Sequence, residues 1–181
     1  FWFQDHRKYA IDRAYVGYHL SESSDLQLGA PFKPFGLQPY PQFGWSYGIP
    51  FYLGFGVNNG LGAKYQFHDN GWTLDAAYFP RMMPAGVRYA PEVGNFDDLK
   101  NTNYGSQHLQ ANEKRDQVNL RLAREFHQGD WNNELGGSLA VSRLYNHDTG
   151  DNGTFWATGL HALVNHDPWH LSTQIIRYSY D

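Results

Sequence analysis

The sequence contains no cysteine. A disulfide scaffold and a cysteine-based zinc site are therefore excluded, and the redox compartment stays open. Basic residues are not in excess: the net charge is -4 and the pI about 6.1. That balance offers no basic surface, so no nucleic-acid partner is expected. No apolar run approaches the roughly 20 residues of a membrane helix. Phe1 to His6 lack the charged and apolar regions of a signal peptide. The 181 residues open and close inside patterned sequence. The chain is therefore expected to be a segment of a longer protein, or a mature chain missing both ends.

What is present points to β-structure. Aromatics make up 17% and glycine 19 residues, yet mean hydropathy is -0.64. Many aromatics and glycines in a polar chain suit strands that alternate. The clearest unit is Leu61 to Phe79. Leu61, Ala63, Tyr65 and Phe67 share one face, opposite Gly62, Lys64, Gln66 and His68. Asp69-Asn70-Gly71 is a hairpin turn signal, because Asn and Gly tolerate positive φ. Trp72, Leu74, Ala76 and Tyr78 then return, with Thr73 and Asp75 facing the other way. A helix does not keep period two for so long.

The same alternation recurs along the chain. Residues 9–20 place Val16, Tyr18 and Leu20 against Arg13, Gly17 and His19. Leu26, Leu28, Ala30 and Phe32 oppose Gln27, Gly29 and Lys33, until Pro31 and Pro34 end the run. Residues 34–60 form a long aromatic connection, and residues 80–115 a second, more charged one. Residues 116–126, 131–145, 154–164 and the run from Trp169 resume the pattern, which gives eight strands in four hairpins.

Short turns alternate with long connections, as in an up-and-down membrane β-barrel, where short turns face the periplasm and long loops the outside. Trp72, Trp131 and Trp169 each follow a short turn. They are expected to form part of an aromatic girdle at the membrane interface, where a ring with an N–H suits the lipid–water boundary. Arg124, Arg143 and Arg177 fall on the apolar face by parity, but toward strand ends, where they can snorkel to head groups. Leu28, Tyr65, Leu74, Leu120, Leu139, Leu160 and Leu171 are expected to point outward. The inward face carries Gly17, Gly29, Gly62, Gly136 and Gly159 with Ala77 and Ala140, small residues that favour part of a larger, water-filled barrel over a plugged eight-stranded one. The whole of 1–181 then reads as one segment of an all-β, antiparallel, transmembrane barrel.

Several stretches resemble the phosphate-selective porins O and P and their relatives. The match lies in Ile11 to Gly36, with its ending Gly29-Ala30-Pro31-Phe32-Lys33-Pro34-Phe35-Gly36. Gly71 to Pro80 and Trp169 to Asp181 are similar to strands of such porins. The resemblance covers most strands but not the loops. It implies a bacterial outer-membrane channel of about sixteen strands, often a homotrimer, of which this chain supplies about half. One departure stands out: the ladder of arginines and lysines that lines the phosphate-selective pores is missing here.

Motifs for chemistry are thin. No catalytic constellation, cofactor motif or metal motif is found, and His166 and His170 flank a turn and need not converge. Three functions stay open. The first is a porin for passive diffusion of small hydrophilic solutes, anions included, in contact with outer-membrane lipid. Its pore lining would include Arg13, Lys33, Lys64, Asp75, Arg121, Glu125, Glu134 and His161. Lys33 is expected nearest the constriction, because two prolines fix it where the connection 34–60 could fold inward. For each basic residue, pairing with Asp75, Glu125 or Glu134 competes with solute contact. The second is a soluble, carbohydrate-binding β-sandwich that uses the aromatics of 35–55. The third is an outer-membrane enzyme or structural barrel with no open pore.

Overall fold

The computed structural model describes residues 14–37, 60–82, 112–146 and 149–180. Eight strands follow one another: β1 (Ala14–Ser21), β2 (Ser24–Ala30), β3 (Gly60–Asp69), β4 (Trp72–Met82), β5 (Asn112–Gln128), β6 (Trp131–Asn146), β7 (Asn152–His166) and β8 (Trp169–Tyr180). They form one antiparallel sheet in strict chain order. Among the described residues β1 and β8 are its two edges, and the sheet is not closed.

The hairpins form because their turns supply the needed backbone. Asn70 and Gly71 take φ of 48° and 76°, the double positive φ whose twist matches that of paired strands. Register then lines up the apolar positions. Leu120 lies opposite Leu139, Gly137 opposite Leu160, and Leu160 opposite Ile175. A one-residue slip would move all of them to the other face.

That apolar face is the exposed one. Leu160 is 69% and Ile175 73% exposed, whereas Asp75 and Arg121 on the opposite face are 2% exposed. Leu28, Leu74, Leu120, Leu139 and Leu171 share the exposed face, and Tyr65 is half-buried there. Polarity is thus inverted relative to a water-soluble sheet, which hides its apolar side. Trp72, Trp131 and Trp169 open β4, β6 and β8, three strands that run the same way. All three therefore stand at one rim, and all are exposed. Trp131 stacks on His166 at 4.4 Å, and the Arg124 guanidinium lies 5.0 Å from the Trp72 ring.

Four details depart from the sequence pattern. β2 stops at Ala30, before Phe32, because the chain leaves the sheet at Pro31 to cross its buried face. β5 begins at Asn112, so the end of the 80–115 connection is strand. A bulge between Arg115 and Val118, with Asp116 at φ 51°, breaks the alternation there and hides that start from a period-two reading. The connection between β6 and β7 is compact, with Asn146 N bonded to Asp151 O and Gly150 N to Asn146 O, both at 2.9 Å. The rim opposite the tryptophans thus bears a short connection as well as long ones. Finally, inward small residues toward the middle of the sheet are filled against rather than open, while Gly17 on the edge strand β1 has open space around it. A Cβ on Gly136 would lie 2.3 Å from His161, and one on Gly159 would lie 3.1 Å from Phe35.

Candidate functional site

The buried face carries a chain of charged side chains contributed by five adjacent strands. Lys64 Nζ on β3 is 3.6 Å from Asp75 Oδ1 on β4. Arg121 Nη1 on β5 is 3.6 Å from Asp75 Oδ2. Arg121 Nη2 donates to Glu134 Oε1 on β6 at 2.6 Å. Glu134 Oε1 also accepts from His161 Nε2 on β7 at 2.7 Å. Each lies at an inward parity position; Asp75 stands directly opposite Arg121, and the others meet along diagonals. With Nε2 carrying the proton, the 3.3 Å approach of Arg121 Nη2 to the same nitrogen is a contact only. Gln66 extends the chain, donating to Asp75 Oδ1 at 2.8 Å and accepting from Gln27 at 2.6 Å.

Two cations, Lys64 and Arg121, face two anions, Asp75 and Glu134, so these four charges balance. Buried charges persist when each is paired and hydrogen-bonded. Of the two readings for the basic residues, pairing describes Lys64 and Arg121. Their partners are Asp75 and Glu134, not Glu125. Glu125 is exposed, and its backbone N–H donates to Gly71 O at 2.7 Å. Arg13 lies outside the described residues.

Residues 31–37 form a strap laid over this face. Phe35 is fully buried with Ala140, Ala157, Leu144 and Phe155, and Ile176 packs against them. Gly36 N donates to Ser138 Oγ at 2.9 Å, and Gly36 O accepts from Arg121 Nε at 2.7 Å. Leu37 N donates to Gln174 Oε1 at 3.2 Å. Arg121 therefore does two things: it neutralises the carboxylates and holds the strap. Lys33, on the strap and outside the strands, is 2% exposed. Burial brings its ammonium down to about 7. It lies within electrostatic reach of Lys114, whose Nζ sits 3.4 Å from the centre of the Phe155 ring.

Sequence reasoning brought Lys64, Asp75, Arg121, Glu134 and His161 to one face and held pairing open beside solute contact, but it did not say which base meets which carboxylate, nor foresee the roles of Gly36, Ser138 and Gln174. Parity marks Ser138 and Gln174 as inward, and nothing in the pattern shows what they bond. His170 Nδ1 bonds Asn165 Oδ1, and His166 stacks on Trp131, so the two histidines do not converge on a common point. Comparison with protein-family models, curated proteins and solved structures gives no match.

Gly36 offers a test of the strap. Its φ is +67°, and a Cβ there would lie 2.4 Å from Gln174 Oε1. Gly36→Ala should cost about 1–2 kcal/mol for the left-handed backbone alone, and Gln174 must also leave Leu37. The expected result is faster proteolysis within residues 31–37, with the strands unaffected. Equal cleavage of both proteins would mean that the strap is not held through Gly36.

Proposed function

We propose that this chain is part of the wall of a bacterial outer-membrane porin, a non-enzymatic channel for passive diffusion of small hydrophilic solutes, anions among them. One observation carries the reading: the apolar face of the sheet is exposed and the charged face is buried. In a bilayer the exposed leucines meet hydrocarbon and the polar face lines the lumen. A soluble sandwich would need the reverse orientation. The open edges at β1 and β8 fit the same picture. A sheet in lipid must close, so further strands of a longer chain would complete a barrel of the larger, about sixteen-stranded type. The resemblance to phosphate-selective porins belongs to this proposal, as does a homotrimer. In this arrangement the tryptophan rim lies at the periplasmic interface, and the strap 31–37 narrows the lumen.

Selectivity in this reading does not come from the neutral Lys64–Asp75–Arg121–Glu134 cluster. It comes from Lys33, held on the strap in reduced dielectric, where one charge acts strongly on a passing ion. The complete protein in a planar bilayer under a salt gradient should conduct, and Lys33→Glu should move its reversal potential toward cation preference. The wild-type preference for anions should weaken as pH rises through about 7, because Lys33 loses its proton there. An absence of conductance would overturn the porin reading. Intact conductance with no shift would place Lys33 away from the ion path.

A further inference from the structure

On the exposed face the apolar run ends at one level on three adjacent strands. Tyr78 of β4, Val118 of β5 and Val141 of β6 stand side by side in the register. Beyond them, toward the rim opposite the tryptophans, the register sets Arg81, Arg115 and Arg143 in one row. Arg115 lies directly opposite Arg143 and shares its face. Like charges set directly across strands destabilise a sheet. Such a row calls for anions.

Asp116 supplies one. Its Oδ1 accepts from the Tyr78 hydroxyl at 2.7 Å, and its Oδ2 accepts from Arg143 Nε at 2.9 Å and from Nη2. That pair fixes the Arg143 guanidinium without using it up. The side chain is 70% exposed, and its Nη1 group has no partner among the described residues. The Arg115 guanidinium lies 4.0 Å from the centre of the Tyr145 ring, and Glu113 stands beyond the row, opposite Tyr145. Depth singles the row out. Arg124, opposite Trp72, marks the tryptophan level on β5. From there to Arg115 the strand covers about 27–30 Å, which is roughly 20–23 Å across a bilayer at the usual tilt. The apolar band of such barrels is about 25 Å tall. Leu122, Leu120 and Val118 fill the interval on the exposed face.

We propose that Arg115 and Arg143, with Arg81 in register beside them, bind a head-group phosphate of an outer-leaflet lipid. The inference rests on the membrane reading above and adds a specific lipid contact to it. A guanidinium matches a phosphate through paired N–H donors. The position selects a lipid phosphate over a dissolved one. The row borders the leucine and valine face, outside the lumen, at the depth where acyl chains give way to head groups. A phosphate between the two guanidinium groups offsets the repulsion that their register builds in.

The test uses the full-length protein in micelles, with diphosphoryl lipid A or an unphosphorylated diacyl glycolipid added, read by native mass spectrometry. Lipid A should be retained in preference to the glycolipid, and inorganic phosphate at millimolar concentration should not displace it. Arg115→Gln and Arg143→Gln should each lower the bound fraction about tenfold, the loss of one charged hydrogen-bonding group. Arg124→Gln, at the tryptophan rim, should leave it unchanged. Insertion of each variant into vesicles is measured in parallel. Equal retention of both lipids, or unaltered retention in either inserted arginine-row variant, overturns the lipid site while insertion still supports the membrane reading. Displacement of lipid A by inorganic phosphate overturns the lipid assignment in favour of a dissolved anion. Failure of the wild-type protein to insert overturns both readings.

Discussion

Leu120→Arg is expected to cost about 2–4 kcal/mol in a refolding titration of the membrane-inserted protein. Leu120 lies on the exposed face near the middle of β5, opposite Ala76 of β4 and Leu139 of β6. In a bilayer that position faces hydrocarbon, far from either rim, and the arginine cannot reach head groups without distorting the lipid around it. The same change on a water-exposed sheet surface would fall within about 0.5 kcal/mol of neutral. The outward arginines already present define the contrast. Arg124 stands over Trp72 near one rim, and Arg143 bonds Asp116 near the other. A neutral Leu120→Arg would remove the lipid assignment from this face.

Arg121→Met should be the most damaging change on the opposite face. It leaves Asp75 with the Lys64 ammonium at 3.6 Å as its one charged partner, beside the Gln66 amide at 2.8 Å, and leaves Glu134 with His161. It also removes the donor to Gly36 O. Deleting one partner from a buried ionic network typically costs about 3–5 kcal/mol, because the stranded charge stays desolvated. Replacing Arg121 with Met together with Glu134→Gln should recover part of that loss, since Glu134 is then not stranded and Lys64 keeps Asp75. Proteolysis within 31–37 should accelerate in the single variant. A cost below about 1 kcal/mol would place Arg121 among water-screened surface pairs.

The strand order was legible because period two survives in nearly every strand, and because Asn70-Gly71 fixes a turn by φ alone. The two faces were equally legible: side chains two apart share a face, so Leu120 and Leu122 predicted each other. The start of β5 was not, because the Asp116 bulge shifts the alternation by one residue. The site was half legible. Parity placed Asp75, Arg121, Glu134 and His161 inward, but pairing depends on strand-to-strand register, which no single strand encodes. Arg121 meets Glu134 across a diagonal, since its direct partner is Ser138. The strap was least visible of all. Its attachment runs through the backbone of Gly36 and Leu37, and sequence pattern carries little information about backbone groups bonded to distant side chains. The inward glycines were read as open lumen, whereas Gly159 lies against Phe35 and Gly136 against His161.

The 181 residues contain no cysteine, so a label placed on β5 meets no native thiol among them. Single cysteines placed at each position from 117 to 123 on β5 can carry a spin label in the full-length protein reconstituted into vesicles. Collision with oxygen, which concentrates in hydrocarbon, should alternate with period two and peak at 118, 120 and 122. Positions 117, 119, 121 and 123 should show low oxygen collision. A flat profile, or peaks of a water-soluble relaxation agent at 118, 120 and 122, would mean that the apolar face meets water or protein, and the membrane reading would fall.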